Sequence, residues 1–107
     1  MKQYKLSEFK EGWIIGNFEP SILKTNGFEV AILSHYKNQK WPKHFHKEIT
    51  EYNVLLEGKM TINNNLINVK DIFVLEPNEI ADPKFIEDCK ILCIKVPSVI
   101  GDRFEVE

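Results

Sequence analysis

Two histidines and a glutamate near the middle of the chain have the residue types and the spacing of metal ligands. His44 and His46 are separated by one residue in a β-prone stretch, and alternate side chains of a strand share a face. Glu51 reaches the histidines only if the chain turns between them, and the polar Lys47 and Glu48 permit a turn. Two neutral imidazoles and one carboxylate form a facial triad that suits iron(II), manganese, nickel or zinc and leaves positions open for substrate. The pattern therefore predicts one divalent transition metal held by these side chains.

The spacing of these residues resembles the first sequence motif of the cupin superfamily. That motif reads H-x-H, four residues, glutamate, six residues, glycine, and His44, His46, Glu51 and Gly58 fill it in register. The glycine that opens the motif is replaced by Asn38, a residue that also tolerates a left-handed turn. The resemblance implies an all-β fold, a small double-stranded β-helix or jelly roll, with the metal motif facing its interior.

The second cupin motif is incomplete. Lys70 and Asp71 stand where the family has glycine and aspartate, the slot of the last histidine ligand falls on Ala81, and no histidine follows His46. One extra residue in the preceding turn would move that slot to Asp82. Because neighbouring strand residues point to opposite faces, only one of the two can face inward. We expect a three-ligand site, with Asp82 as a fourth ligand the alternative.

Composition excludes several classes of function. The chain has 107 residues and a formal net charge of −2, and its lysines and arginines are scattered, so nucleic-acid binding is not expected. No apolar run approaches the ~20 residues of a membrane-spanning helix, and no signal segment is evident, so we expect a cytoplasmic protein with no membrane contact. Cys89 and Cys93 lie too far apart on one predicted strand for a disulfide and are expected to be buried thiols.

Turn signals separate a series of short apolar segments, which predicts a single β-rich domain spanning residues 1–107. Asparagines 63 to 65 predict a hairpin between 59–62 and 66–69. Residues 89–96 are apolar on both faces, which predicts a strand buried on both sides. Further strands are predicted over 28–36, 52–56, 71–75 and 81–86, and residues 103–107 are expected to form a polar tail.

The least patterned part is residues 1–27, which we expect to pack across the sheet or on a partner subunit. Trp13 and Phe18 are its predicted apolar anchors. Trp13, Ile14 and Ile15 carry more apolar surface than a solvated arm would keep. Small cupins commonly pair through such segments, so the resemblance also implies a homodimer.

Three functions remain open at this level. The first is a metal-dependent enzyme acting on a small polar or carbohydrate-like molecule, with Tyr36, Glu48, Tyr52 and Asp82 as candidate acids or bases. The second is a non-catalytic module that binds a sugar or metabolite in a barrel mouth. Its candidate lining is aromatic: Trp41, Phe45, Phe73 and Phe85. The third is a metal-free sugar-nucleotide epimerase or isomerase that uses His44 or His46 as a base. His35 has no partner at ligand spacing and is expected to be exposed.

Overall fold

The computed structural model describes residues 1–106, and nearly all of their regular structure is β-strand, which confirms the all-β prediction. A single 3-10 turn over Leu6–Glu8 precedes the first strand. No helix among the described residues has the length and apolar character needed to cross a membrane. The strands are β1 (Trp13–Gly16), β2 (Leu23–Lys24), β3 (Glu29–His35), β4 (His44–Phe45), β5 (Thr50–Glu57), β6 (Met60–Ile62), β7 (Asn65–Ile67), β8 (Ile72–Leu75), β9 (Pro83–Phe85), β10 (Cys89–Val96) and β11 (Phe104–Glu105).

The strands form one large sheet and two small ones. The large sheet has the order β2-β1-β3-β10-β5-β8, and the small sheets have the orders β7-β6-β9 and β11-β4. His44 and Ala81 form an antiparallel backbone bridge that links β4 to the segment entering β9. The inner face of the large sheet packs on the small sheets around a core that includes Leu55, Met60 and Phe85. This arrangement places β5, which carries Glu51, opposite the strand that carries His44.

Strand β10 lies at the centre of the large sheet and shows why this sheet has two different faces. Its residues Cys89, Ile91 and Cys93 are buried, whereas the intervening residues are half-buried or exposed. The prediction that this strand is buried on both sides is therefore wrong for the single chain. None of the described residues covers the outer face of the strand. Both cysteines are free and buried, as predicted.

Turns follow the asparagine and glycine signals of the sequence. Asn63 and Asn64 both have positive φ, at 50° and 65°, and connect β6 to β7 in the predicted hairpin. Gly58 ends β5 with φ 92°, and a Cβ there would lie 2.2 Å from the carbonyl oxygen of Asp88. Asn38 has φ 61°, so it takes the left-handed conformation expected of the glycine that it replaces.

The two ends of the chain pack onto the sheets. Trp13 opens β1, which pairs with β3, and its ring contacts Phe18 edge to face at 6.3 Å between centroids. The polar tail predicted over 103–107 is wrong as far as it is described, since Phe104 and Glu105 form β11 against β4. The Phe104 ring stacks on Phe45 with centroids 5.4 Å apart, which explains why this segment is ordered. Residue 107 lies outside the described part.

Candidate metal centre

The structure brings together the three side chains that the sequence motif singles out. His44 begins β4, His46 follows that strand, a bend over residues 47–48 reverses the chain, and Glu51 lies in β5. One potential ligand atom from each of the three residues lies within 4.8 Å of the other two. All three residues are about nine-tenths buried or more, so these titratable side chains are largely shielded from bulk solvent.

Both imidazoles are oriented through the same ring nitrogen. Nδ1 of His44 hydrogen-bonds to the carbonyl oxygen of Pro42 at 3.0 Å, and Nδ1 of His46 makes a short hydrogen bond to the carbonyl oxygen of Asp102. A carbonyl only accepts, so Nδ1 of each ring carries the proton and Nε2 carries the lone pair. Metal-binding histidines are commonly oriented in this way, because the outer hydrogen bond fixes the tautomer and the ring plane.

Asp102 also fixes the turn between the second histidine and the glutamate. Its Oδ1 accepts a hydrogen bond from the backbone N–H of Lys47 at 2.8 Å. Its Oδ2 accepts from Glu48 and Ile49 at 2.9 and 3.1 Å. Burial by itself raises the pKa of Asp102, but these three bonds outweigh it and lower the pKa below its usual value. One residue near the end of the chain therefore supports both the ring of His46 and the approach to Glu51.

Two atoms at the centre of the cluster have no hydrogen-bond partner within residues 1–106. Nε2 of His46 and Oε2 of Glu51 are buried and unpaired, and they lie 3.2 Å apart. With Nδ1 protonated, the facing nitrogen and oxygen both carry lone pairs, so their contact is repulsive unless a proton or a cation lies between them. A divalent ion satisfies both atoms at once, and two imidazoles with one carboxylate are an established ligand set for transition metals. The side chains present therefore fit a metal.

The surrounding charges favour the ligand forms of these side chains. Burial alone would raise the pKa of Glu51, but a hydrogen bond from Nε2–H of His46 in its protonated form and the positive charge of Lys95 lower it to about 2. Burial lowers the pKa of His44, and Arg103 lowers it further against the effect of the Pro42 bond, so this ring is neutral at pH 7. Cys93 donates its S–H to Oε1 of Glu51 at 3.4 Å, and burial together with the charge of Glu51 raises the pKa of the thiol.

A cavity of about 780 Å³ extends from His44 and Glu51 into the space between the sheets, whereas His46 lines a separate pocket on the other side of the cluster. Most of its wall is apolar or aromatic: Leu33, Trp41, Met60, Ile62, Phe73, Leu75, Phe85 and Ile91. Residues of the N-terminal segment, including Phe9 and Trp13, also line the cavity. Its cationic groups, Lys95 and Arg103, lie near the ligand cluster and affect the pKa values of Glu51 and His44 respectively. The cavity is large enough for a small-molecule ligand.

Ala81 occupies the position at which the second cupin motif would have its histidine. This residue is buried, lines the cavity and pairs with His44 through backbone hydrogen bonds of 2.8 and 3.2 Å. Asp82 is not part of the cluster found among the described residues, and its backbone N–H bonds to Oδ1 of Asn63 at 2.8 Å. The geometry therefore supplies three ligand residues, with a small side chain in the place where cupins have another histidine.

The other candidate residues of the sequence lie away from the cavity wall. Tyr36 and Tyr52 are 75 % and 45 % exposed, and Glu48 is exposed on the bend. None of these three, nor Asp82, lines the cavity, and their proposed catalytic roles stay predictions. Of the four aromatic residues suggested as a ligand-binding wall, Trp41, Phe73 and Phe85 line the cavity, whereas Phe45 packs on Phe104 instead.

His35 is buried, so the expectation that it is exposed is wrong. Its ring stacks on Phe85 with centroids 4.3 Å apart and meets the edge of Trp41 at 4.9 Å. These contacts are side-chain packing of the end of β3 against the segment before β4 and against β9, since β3 itself pairs with β1 and β10. The spacing of histidines along the chain gave no indication of them.

Sequence reasoning also missed Asn53, Lys95 and Asp102. The first two had a usable signal, because Asn53 lies two residues after Glu51 and Lys95 two residues after Cys93, and such pairs share a strand face. Asp102 had none, since the residues that it binds lie more than fifty positions earlier in the chain.

No protein-family model and no curated protein sequence matches the chain. Solved structures do match it. An uncharacterized conserved protein with a double-stranded beta-helix domain from Klebsiella pneumoniae has 16% identity and a TM-score of 0.71, with 99% of this chain and 92% of that chain covered. The DMSP lyase DddQ from Ruegeria pomeroyi has 10% identity and a TM-score of 0.73 over 88% of this chain and 49% of that one.

The bacterial pirin YhhW from Escherichia coli, in complex with nickel(II), has 14% identity and a TM-score of 0.69 over 82% of this chain. The present chain covers 39% of that pirin, so it spans well under half of its length. An RmlC-like cupin protein from Desulfovibrio desulfuricans also matches, with 20% identity and a TM-score of 0.58 over 70% of this chain and 76% of that one. With its strand order and its buried H-x-H and glutamate cluster, the chain has the double-stranded β-helix fold of the cupin proteins.

Proposed function

We propose that this protein is a metal-dependent enzyme that binds one divalent transition metal through His44, His46 and Glu51 and acts on a small molecule in the adjoining cavity. The observation that carries this proposal is the buried, unpaired contact between His46 and Glu51. In this contact, Nε2 of His46 and Oε2 of Glu51 lie 3.2 Å apart, and a backbone carbonyl holds Nδ1 on the other side of the His46 ring. The ring of His44 is held through its Nδ1 in the same way. Such an arrangement is costly without a cation.

A bound ion would supply Lewis-acid or redox chemistry with coordination positions open for a substrate. The chain's own residues provide the rest. Lys95 and Arg103 set a positive potential beside the ligand cluster, the apolar wall excludes water, and Asp102 holds the ring of His46. The largely apolar lining favours a substrate with an apolar body over a sugar.

Metal content tests the proposal. Protein purified without an affinity tag and then incubated with iron(II), manganese, nickel or zinc should retain close to one ion per chain. Nickel belongs in this set because the similar pirin was solved with it. His46→Ala should lose the ion and keep its β-rich circular dichroism, because the ligands sit on a preformed scaffold. His35→Phe is the matched control, since it removes another buried histidine and should leave the ion bound. Wild-type protein that binds none of the four metals would contradict the proposal.

A metal-free acid–base enzyme is the second candidate, and the same contact supports it. If Nε2 of His46 is protonated, the pair becomes an imidazolium and a carboxylate 3.2 Å apart, which can deliver and accept a proton. Activity of such an enzyme would survive exhaustive treatment with a chelator. A non-catalytic binding module would instead bind ligands in the cavity and convert none of them, with or without an ion.

We also propose a homodimer formed through the outer face of the large sheet. Six apolar side chains lie there in two adjacent rows on β5, β8 and β10: Tyr52, Val54, Ile72, Val74, Leu92 and Ile94. Ile72 is 69 % exposed, and antiparallel sheets normally present polar residues to water. The apolar residues of the N-terminal segment are half-buried against their own chain, so they are less suited to this role.

Light scattering should give twice the 12.5 kDa mass of the chain at micromolar concentration. Ile72→Glu should halve that mass, because it places a charge within the apolar rows. Glu57→Lys, a charge change at the exposed end of β5, is the control. A wild-type mass of one chain would overturn this part of the proposal.

A further inference from the structure

Two polar groups in the cavity wall have no hydrogen-bond partner among the described residues. The side chain of Asn53 is 2 % exposed and lines the cavity, and its Nδ2 donates no hydrogen bond. His35 is 7 % exposed and also lines the cavity, and its Nδ1 is unpaired. Unpaired buried groups are rare because each loses its hydration without gaining a hydrogen bond in return. Two of them in one cavity indicate that something else supplies their partners.

The two groups lie at different depths of the cavity. Asn53 is two residues beyond Glu51 on β5 and lies opposite Cys93 on β10. Cys93 in turn lies opposite Ala31 on β3, so Asn53 and Ala31 are at the same level of the sheet. His35 is four residues beyond Ala31, so it lies roughly 13 Å further along the strand direction. The wall between them is formed by apolar side chains such as Met60, Phe73 and Ile91. A ligand that contacts the candidate metal centre and both groups must therefore be elongated and apolar in its middle.

The chemistry of His35 defines what its end of the ligand must offer. The ring is held between Phe85 and Trp41, and its burial lowers the pKa so that it is neutral at pH 7. The neutral ring has one nitrogen that donates and one that accepts, and Nδ1 is a buried nitrogen without a partner among the described residues. In the tautomer that carries its proton on Nε2, Nδ1 is an acceptor and needs an O–H or N–H group.

The opposite end of the cavity requires a negative charge. A divalent ion held by two neutral imidazoles and one carboxylate has a net charge of +1, and Lys95 and Arg103 add positive charge beside it. Arg103 lies over the ring of Trp41, with 5.2 Å from its guanidinium carbon to the ring centroid. Asn53 offers an N–H donor next to this region, so it suits an acceptor oxygen of the same ligand.

We propose that the cavity binds an elongated, largely apolar carboxylate or similar oxyanion that carries a hydroxyl or N–H group at its far end. The anionic end lies at the metal, Asn53 Nδ2 donates to an acceptor near that end, and the distal group donates to Nδ1 of His35. This inference rests on the proposed metal function. It adds the ligand class and assigns two binding residues outside the ligand cluster.

Two fluorescent probes test the distal contact. 6-(4-Hydroxyphenyl)-2-naphthoate carries a carboxylate and a hydroxyl at opposite ends of an elongated apolar ring system, and 6-phenyl-2-naphthoate lacks the hydroxyl. Metal-loaded wild-type protein should bind the hydroxylated probe about tenfold more tightly, which is the effect expected of one buried hydrogen bond. Equal affinities, or no binding of either probe at millimolar concentration, would overturn the proposal.

Two variants assign the contacts. His35→Phe keeps an aromatic ring between Phe85 and Trp41 but removes the acceptor, so it should abolish the preference between the probes. Asn53→Leu has nearly the same volume and should weaken both probes by about tenfold while preserving the preference. A preference that persists in His35→Phe, or an unchanged affinity in Asn53→Leu, would remove that residue from the site.

Metal uptake is measured on every sample, which separates the two proposals. Wild-type protein that takes up one ion and shows no probe preference overturns the ligand site alone. Protein that takes up no ion overturns the metal function and this inference with it.

Discussion

Replacing Asp102 with asparagine should weaken metal binding although Asp102 is not a ligand. Its carboxylate accepts three backbone hydrogen bonds from the turn between His46 and Glu51, and its carbonyl accepts the proton of His46 Nδ1. The amide of asparagine has one acceptor oxygen. If that oxygen takes the bonds from Glu48 and Ile49, the amide NH₂ group faces the N–H of Lys47, and two donors then repel each other.

The magnitude follows from these bonds. The variant loses at least one hydrogen bond to a charged group, which corresponds to about 1.5–3 kcal/mol of unfolding free energy. Groups that orient a metal ligand typically affect affinity by about 10- to 100-fold when removed, and we expect a loss in this range. Asp102→Ala removes all three bonds and should be less stable than Asp102→Asn.

The assay combines competition with a chelator for the metal affinity and urea unfolding of the metal-free protein for stability. Asp71→Asn is the matched control, because Oδ2 of Asp71 accepts a backbone hydrogen bond from Asn68 at 2.8 Å in a turn remote from the ligands. The control should lose some stability and keep its metal affinity. If Asp102→Asn loses stability but binds the metal within about twofold of wild type, then Asp102 supports the fold and not the site, and the reasoning fails.

Three further predictions follow from the same structure. Asp82→Ala should change metal affinity by no more than about threefold, because true ligands and their supports produce larger changes; a hundredfold loss in chelator competition would make Asp82 a ligand. Lys70 has φ 75° where cupins have glycine, so Lys70→Gly should raise the unfolding free energy in urea by about 0.5–1 kcal/mol, whereas Lys70→Ala, which keeps the strained backbone, should not. The pKa values of His35 and His44 are lowered by burial, so below pH 6.5 the unfolded chain binds more protons than the folded one. The metal-free protein should lose stability from pH 7 to pH 5, by at most about 1.4 kcal/mol per pH unit for each histidine, and His35→Phe should flatten that slope.

The features that sequence predicted correctly are those encoded over short distances. The Asn63-Asn64 turn, the burial of Cys89 and Cys93 and the proximity of His44, His46 and Glu51 are each readable within a few residues. The inward position of Ala81 also followed from counting along the motif. The fold class could be predicted because these local signals agree with one another.

The features that were missed depend on pairing between distant segments. His35 was expected to be exposed because it has no partner at ligand spacing, and the rings of Trp41 and Phe85 that bury it reach it only through the folded topology. β11 was missed because a two-residue strand has no period. The role of Asp102 depends on the placement of a carboxylate beside a turn formed by a distant part of the chain, for which no local pattern exists.

The bond from His46 to Asp102 also has a consequence for the order of events during protein synthesis. The two residues are 56 positions apart, so the ribosome completes the whole H-x-H and glutamate motif long before it produces the group that orients its second histidine. For much of that interval the large sheet lacks β10, one of its central strands. Under the proposed metal function, an ion would find the ring of His46 held in place only after residue 102 has emerged, so loading of the proposed site would come late relative to synthesis of its ligands.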